Sequence, residues 1–221
     1  MVNILLEGYD IKSAWIYDGL KPYLRSGMRV VVLPFAYRDH HVFDEKSWEI
    51  YYGDGSSQYN GIVGGFKPYG IKACDISFVN YFTDTRETAS EKIKHADIIY
   101  FPGGLADKIT ERAEKLGILD LLLRFDGVVM GYSAGALVQL GEYHLSPDKD
   151  YPSFRYERGL SYIDGFYLEV HYTGSAEQDE SIKRVVCERG KRVYATSLMS
   201  GAVVCDGGRV TLLGDVREFS L

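Results

Sequence analysis

Short apolar runs alternate with amphipathic stretches along the first 130 residues, and this alternation constrains the fold more than any other feature. Val2–Leu6, Arg29–Pro34, Ile71–Val79, Asp97–Phe101 and Val128–Gly131 are rich in Val and Ile and bounded by Gly, Pro or Asp, as buried strands are. Between them lie helical patterns. Ile11–Leu24 places apolar residues at 11, 15, 16, 20 and 24, on one helix face, and Ala106–Leu123 does so at 109, 113, 116, 119 and 123. Arg86–His95 reads as another helix, and Asp44–Tyr52 and Gln58–Tyr69 as two more in a less regular region. A strand–helix repeat of about 30 residues predicts βαβ units and a parallel sheet with helices on both faces. After Gly141 the texture changes. Ser146–Tyr156 reads as a polar loop, Leu160–Tyr172 as a strand and Ala176–Glu188 as a helix. Arg192–Thr196, Ala202–Asp206 and Arg209–Leu213 read as short strands, the last two joined by the turn Asp206-Gly207-Gly208. The expected architecture is a three-layer α/β fold with a mostly parallel sheet and a C-terminal β-hairpin. With 221 residues and no linker-like stretch, residues 1–221 are expected to form a single domain.

Composition removes several function classes. The chain carries 25 Lys and Arg against 31 Asp and Glu, a net charge of −6, with no basic run, so nucleic acid is not an expected partner. No apolar stretch approaches the roughly 20 residues that span a bilayer. The opening Met1–Asp10 lacks the basic start and long apolar centre of a secretory signal. Three widely spaced cysteines, Cys74, Cys187 and Cys205, suit a reducing compartment and form no zinc or disulfide pattern, so a cytoplasmic location is expected.

The strongest chemical signal is Gly131-Tyr132-Ser133-Ala134-Gly135, placed after an apolar strand and before a helix-like run. A nucleophile elbow has this context. The turn is so tight that its flanks must be small, and it leaves the serine hydroxyl exposed at the strand's C-terminal end. Phe101-Pro102-Gly103-Gly104 follows the preceding strand, where bare backbone can approach a ligand. The N–H groups of Gly104 and Ala134 are therefore candidate oxyanion donors. A serine nucleophile needs a base, and the histidines are His40, His41, His95, His144 and His171. His171 closes a strand, at the sheet edge where ligands of open α/β folds bind, and is the expected base. Asp148, Asp150, Glu157, Asp164 and Glu169 lie between Ser133 and His171 as candidate orienting groups; Glu169, two residues from His171 on one strand, would share its face. Residue order does not choose among them.

Gly103-Gly104, Gly131-Tyr132-Ser133-Ala134-Gly135-Ala136 and Val170-His171-Tyr172 together resemble the dipeptidase E and cyanophycinase family of serine peptidases. The resemblance runs over roughly residues 1–215 in element order. It implies the flavodoxin-like fold of class I glutamine amidotransferases, with Ser133 as nucleophile and His171 as base. Asp148, fifteen residues beyond the serine, matches the aspartate assigned to the relay in dipeptidase E. Some members of the family instead use a glutamate after the penultimate core strand, where this chain reads Ser197-Leu198-Met199-Ser200-Gly201, without a carboxylate. Gln178 and Ser181 stand where dipeptidase E carries arginines, so strict aspartyl specificity is not implied. The amidotransferase relatives place cysteine at the elbow, where this chain has Ser133. The implied activity is cleavage of small peptides with no metal or organic cofactor; a homodimer is compatible with the aromatic-rich segment 48–82. The alternative is a non-catalytic binding or regulatory module on the same fold, and a third reading is an esterase on a similar elbow.

Overall fold

The computed structural model describes residues 1–221, apart from the side chain of Met199. Five parallel strands form one side of an eight-stranded sheet: β1 (Val2–Leu6), β2 (Val30–Val32), β3 (Ile76–Phe78), β4 (Ile98–Phe101) and β5 (Val128–Tyr132). Their spatial order runs β1-β5-β4-β2-β3. Successive side chains alternate between two cores, as the pleat requires. Leu5, Val31, Ile99, Phe101 and Val129 face one side; Ile4, Leu6, Val30, Val32, Ile98, Tyr100 and Met130 face the other. Both faces are covered, which explains why the strands read as continuous apolar runs. Helices α1 (Ala14–Leu20) and α3 (Ser57–Phe66) pack Ile16, Leu20, Ile62 and Phe66 on the second face. Helix α2 (Glu45–Tyr52) lies between them in sequence and starts at an Asp44–Ser47 capping box. Helices α4 (Arg86–Lys94), α5 (Ala106–Lys115) and α6 (Leu119–Leu122) pack Ala89, Ile93, Ile109, Ala113 and Leu122 on the first. Each such buried Ile, Leu or Phe side chain contributes roughly 1.5–3 kcal/mol of transfer free energy.

The chain departs from the sequence reading in several places; the strands expected over Ile71–Val79 and Leu160–Tyr172, for example, shorten to Ile76–Phe78 and Phe166–Tyr172. The helix expected over 106–123 breaks into α5 and α6 at Gly117, whose φ of 75° lies in the left-handed region. The helix after Ser133 is a single turn, α7 (Ala134–Leu137). The polar loop expected over Ser146–Tyr156 is present at 146–154, but it joins the two strands of a small antiparallel hairpin not read from the sequence, β6 (Glu142–Leu145) with β7 (Arg155–Arg158). The strands expected at Arg192–Thr196 and Ala202–Asp206 are one long strand, β9 (Arg192–Asp206), which follows β8 (Phe166–Tyr172) and α8 (Ala176–Arg189). The C-terminal hairpin of β9 and β10 (Arg209–Phe219) is present, with β10 longer than expected.

This long strand positions the site. On one side β9 pairs with β10 along most of its length. On the other, its first half pairs parallel with β8 (Glu169 opposite Ala195) and its second half antiparallel with β1 (Leu6 opposite Ala202). The C-terminal ends of β1 and β8 therefore point at each other along a single edge. β5 lies beside β1, and the backbone N–H of Ser133 donates to the Leu6 carbonyl at 3.0 Å. Three strand ends converge on one spot.

Candidate active site

Ser133 occupies the elbow after β5 with φ 53° and ψ −116°, a strained conformation for a residue with a side chain. The strain is imposed by packing. A Cβ at Gly135 would lie 2.0 Å from the Phe101 carbonyl oxygen, so the chain can turn here only with glycine. Gly104, at φ 140°, presses on the Ala36 carbonyl in the same way: a Cβ there would come within 2.1 Å of that oxygen. Neither the Gly104 N–H nor the Ala134 N–H has an acceptor among the described residues, and both residues line the same cleft as Ser133.

His171 reaches Ser133 from the opposite side: its Nε2 lies 2.8 Å from Ser133 Oγ. The other ring nitrogen, Nδ1, lies 2.5 Å from Glu7 Oε1. Glu7 follows the end of β1 and is 1% exposed. Its second oxygen accepts the backbone N–H of His171 at 2.8 Å and faces the Thr196 hydroxyl of β9 at 3.2 Å. His171 itself has φ 55°, within a register shift between β8 and β9. This bulge turns the ring toward Ser133 and Glu7. The hydrogen bond to Glu7 holds the His171 pKa above its usual 6.5; burial opposes the shift, and the charges of Glu7, Glu169 and Asp148 add to it.

The expected ring-orienting aspartate is elsewhere. Asp148 sits in the loop between β6 and β7, where its Oδ1 accepts the backbone N–H groups of Asp150 and Tyr151 at 2.8 and 2.7 Å. It caps a turn, as aspartate often does. It lines the cleft but does not touch the His171 ring, so Asp148 is replaced in that position by Glu7. The expectation that Glu169 shares a face with His171 also fails, because the bulge breaks the two-residue alternation. Glu169 turns to His144 Nε2, 2.7 Å away. Asp150 pairs with Arg38, Glu157 with Arg155 and Asp164 with Lys191. His40 and His41 meet edge to face, and His95 lies beside Glu91. Glu7 precedes the serine in the chain, outside the Ser…Asp…His order. Its one readable signal was a carboxylate directly after a buried strand, at the edge where α/β sites form.

The cleft over these residues has a volume of about 570 Å³, within the range of small-ligand sites. Tyr51, Tyr52, Gly104 and Tyr132 form part of one wall; Ser146, Asp148 and Tyr151 form part of another. Among the described residues no His, Cys, Asp and Glu group is arranged to hold a metal ion, and no helix is long and apolar enough to cross a membrane.

The same architecture occurs in solved structures. A candidate peptidase E protein from Listeria monocytogenes EGD-e matches with a TM-score of 0.68 at 16% identity, over 97% of this chain and 98% of its own. A peptidase from an acI-B1 Actinobacterium matches with a TM-score of 0.61 at 15% identity, over 99% of this chain and 93% of its own. No protein-family model and no curated protein matches the sequence. The chain thus has the three-layer α/β fold of these peptidase E structures, and its chemistry has to be argued from its own residues.

Proposed function

We propose that the chain is a serine-type hydrolase that cleaves small peptides, with Ser133 as nucleophile, His171 as general base and Glu7 as the residue that positions the ring. The carrying observation is the unbroken line from Ser133 Oγ through both nitrogens of His171 to a buried carboxylate. Glu7 accepts the Nδ1–H, which leaves the Nε2 lone pair facing the serine hydroxyl. His171 then removes the Ser133 proton as Oγ attacks the peptide carbonyl, and the imidazolium forms against Glu7. The oxyanion accepts from the N–H groups of Gly104 and Ala134, each worth roughly 3–4 kcal/mol in the transition state. His171 returns the proton to the leaving amine, and an acyl-serine remains. Water, activated by the same ring, releases the acid.

The peptidase names of the structural neighbours support peptides as the substrate class. Glu7, directly after β1, offers the carboxylate that Ser197–Gly201 lacks, which favours an enzyme over a non-catalytic module on the same fold. The test is cleavage of a di- and tripeptide library by the wild type and Ser133→Ala, read by mass spectrometry. Cleavage that disappears in the variant is expected; equal turnover by both proteins would sink the mechanism.

A further inference from the structure

The floor of the cleft holds a second carboxylate that the reaction above does not use. The Glu169 side chain is 5% exposed, yet it lines the same cleft as Ser133 and His171. Its donors are His144 Nε2 at 2.7 Å and Ser146 Oγ at 2.7 Å on one oxygen, and Gln178 Nε2 at 2.9 Å on the other. Among the described residues no Lys or Arg pairs with it. Lys149 lines the cleft but does not pair with Glu169; of the groups in contact with that carboxylate, His144 alone could carry a positive charge. That ring is buried near Phe154 and Tyr167, and its Nδ1 has no partner. A protonated ring would carry a second N–H at Nδ1 with nothing to accept it, whereas a neutral ring donating from Nε2 leaves only a lone pair there. The geometry therefore fits a neutral His144 beside an uncompensated carboxylate. A buried charge without a counter-ion is costly unless one arrives. The nearby cation Arg38 is engaged with both oxygens of Asp150. Glu169 Oε1 accepts only the Gln178 amide and keeps a free lone pair.

We propose that Glu169 is a specificity-determining anchor for a positively charged group of the substrate, its free α-ammonium or a lysine or arginine side chain. The proposal rests on the peptidase reading for the identity of the substrate. It makes the cleft hostile to acidic residues, which would meet Glu169 without an intervening cation. Gln178 contributes by being neutral: at the N-terminal turn of α8 it donates to Glu169 and to the His171 carbonyl without cancelling the charge.

Binding separates this proposal from turnover. In the Ser133→Ala background, four probes are titrated by NMR: lysinamide, norleucinamide, N-acetyl-lysinamide and N-acetyl-norleucinamide. The expected result is at least about tenfold tighter binding of a cationic probe than of neutral N-acetyl-norleucinamide. Preference for norleucinamide assigns the α-ammonium; preference for N-acetyl-lysinamide assigns the side chain. Glu169→Gln, which keeps the size, should erase the preference while changing neutral-probe binding by less than about threefold. If that variant fails to fold, Gln178→Lys, which places an ammonium against Glu169, should erase the same preference with the carboxylate in place. Equal binding of all four probes, or a preference that survives these changes, overturns the proposal. These titrations remain readable if no peptide is cleaved, so failure of the peptidase reading is seen separately.

Discussion

Two histidine–glutamate pairs lie within one cleft and have nearly the same geometry. His171 meets Glu7 at 2.5 Å, and His144 meets Glu169 at 2.7 Å. Their surroundings differ. The His171 side chain is 49% exposed, and its second nitrogen reaches a serine hydroxyl. The His144 side chain is fully buried, and its second nitrogen reaches nothing. A histidine held by a carboxylate acts as a base only if its free nitrogen faces a proton it can remove. In the proposed reaction the first pair moves a proton. The second is built to hold a charge still.

This contrast can be broken by mutation. Ser133→Ala should lower kcat by about 10³–10⁶ without changing the thermal midpoint; a small loss would mean that the first pair serves no nucleophile. Glu7→Gln should lower kcat by about 10²–10⁴, because the ring loses its fixed tautomer and the support for its charged form. The pH profile sharpens the same point. A protonated His171 cannot accept the serine proton, so kcat/KM should rise with pH through an apparent value above 6.5, and Glu7→Gln should move that limb downward. The raised value also bears on stability. The ring's pairing with Glu7 contributes fully below the free-imidazole value and fades as pH rises through the folded-state value, a weak effect for a ring this exposed.

Changes at the second pair should appear in stability instead. His144→Leu removes a hydrogen-bond donor from a buried carboxylate and should cost about 1–3 kcal/mol in denaturant unfolding, with kcat changed by less than about tenfold. A collapse of kcat at full stability would make His144 a participant in the reaction. The smallest effect is expected from Asp148→Asn, which keeps the turn-capping oxygen: kcat/KM should stay within about threefold of the wild type. A loss beyond about a hundredfold would return Asp148 to the ring-orienting role and displace Glu7.

Much of the fold was legible because its signals are local. Ile and Val runs mark strands buried on both faces, and apolar residues three or four apart mark the helices that cover them. The elbow was legible for the same reason, since Ser133 needs small neighbours within two residues. Local signals also mark the limits. Gly117 breaks a helix whose apolar spacing continues past it, and the four-residue strands β6 and β7, which flank the polar loop, are too short to stand out as a pattern. The alternation rule that joined Glu169 to His171 assumed a regular strand, and a bulge cancels it.

The sequence by itself determined the α/β class, the strand–helix order and the Ser133 elbow with its glycine neighbours, because each follows from residues adjacent in the chain. Only the tertiary structure decided which acid serves which histidine. Glu7 and His171 are 164 positions apart and meet because β9 runs past the ends of both β1 and β8. Strand pairing at that range depends on the assembled sheet, and no local pattern encodes it.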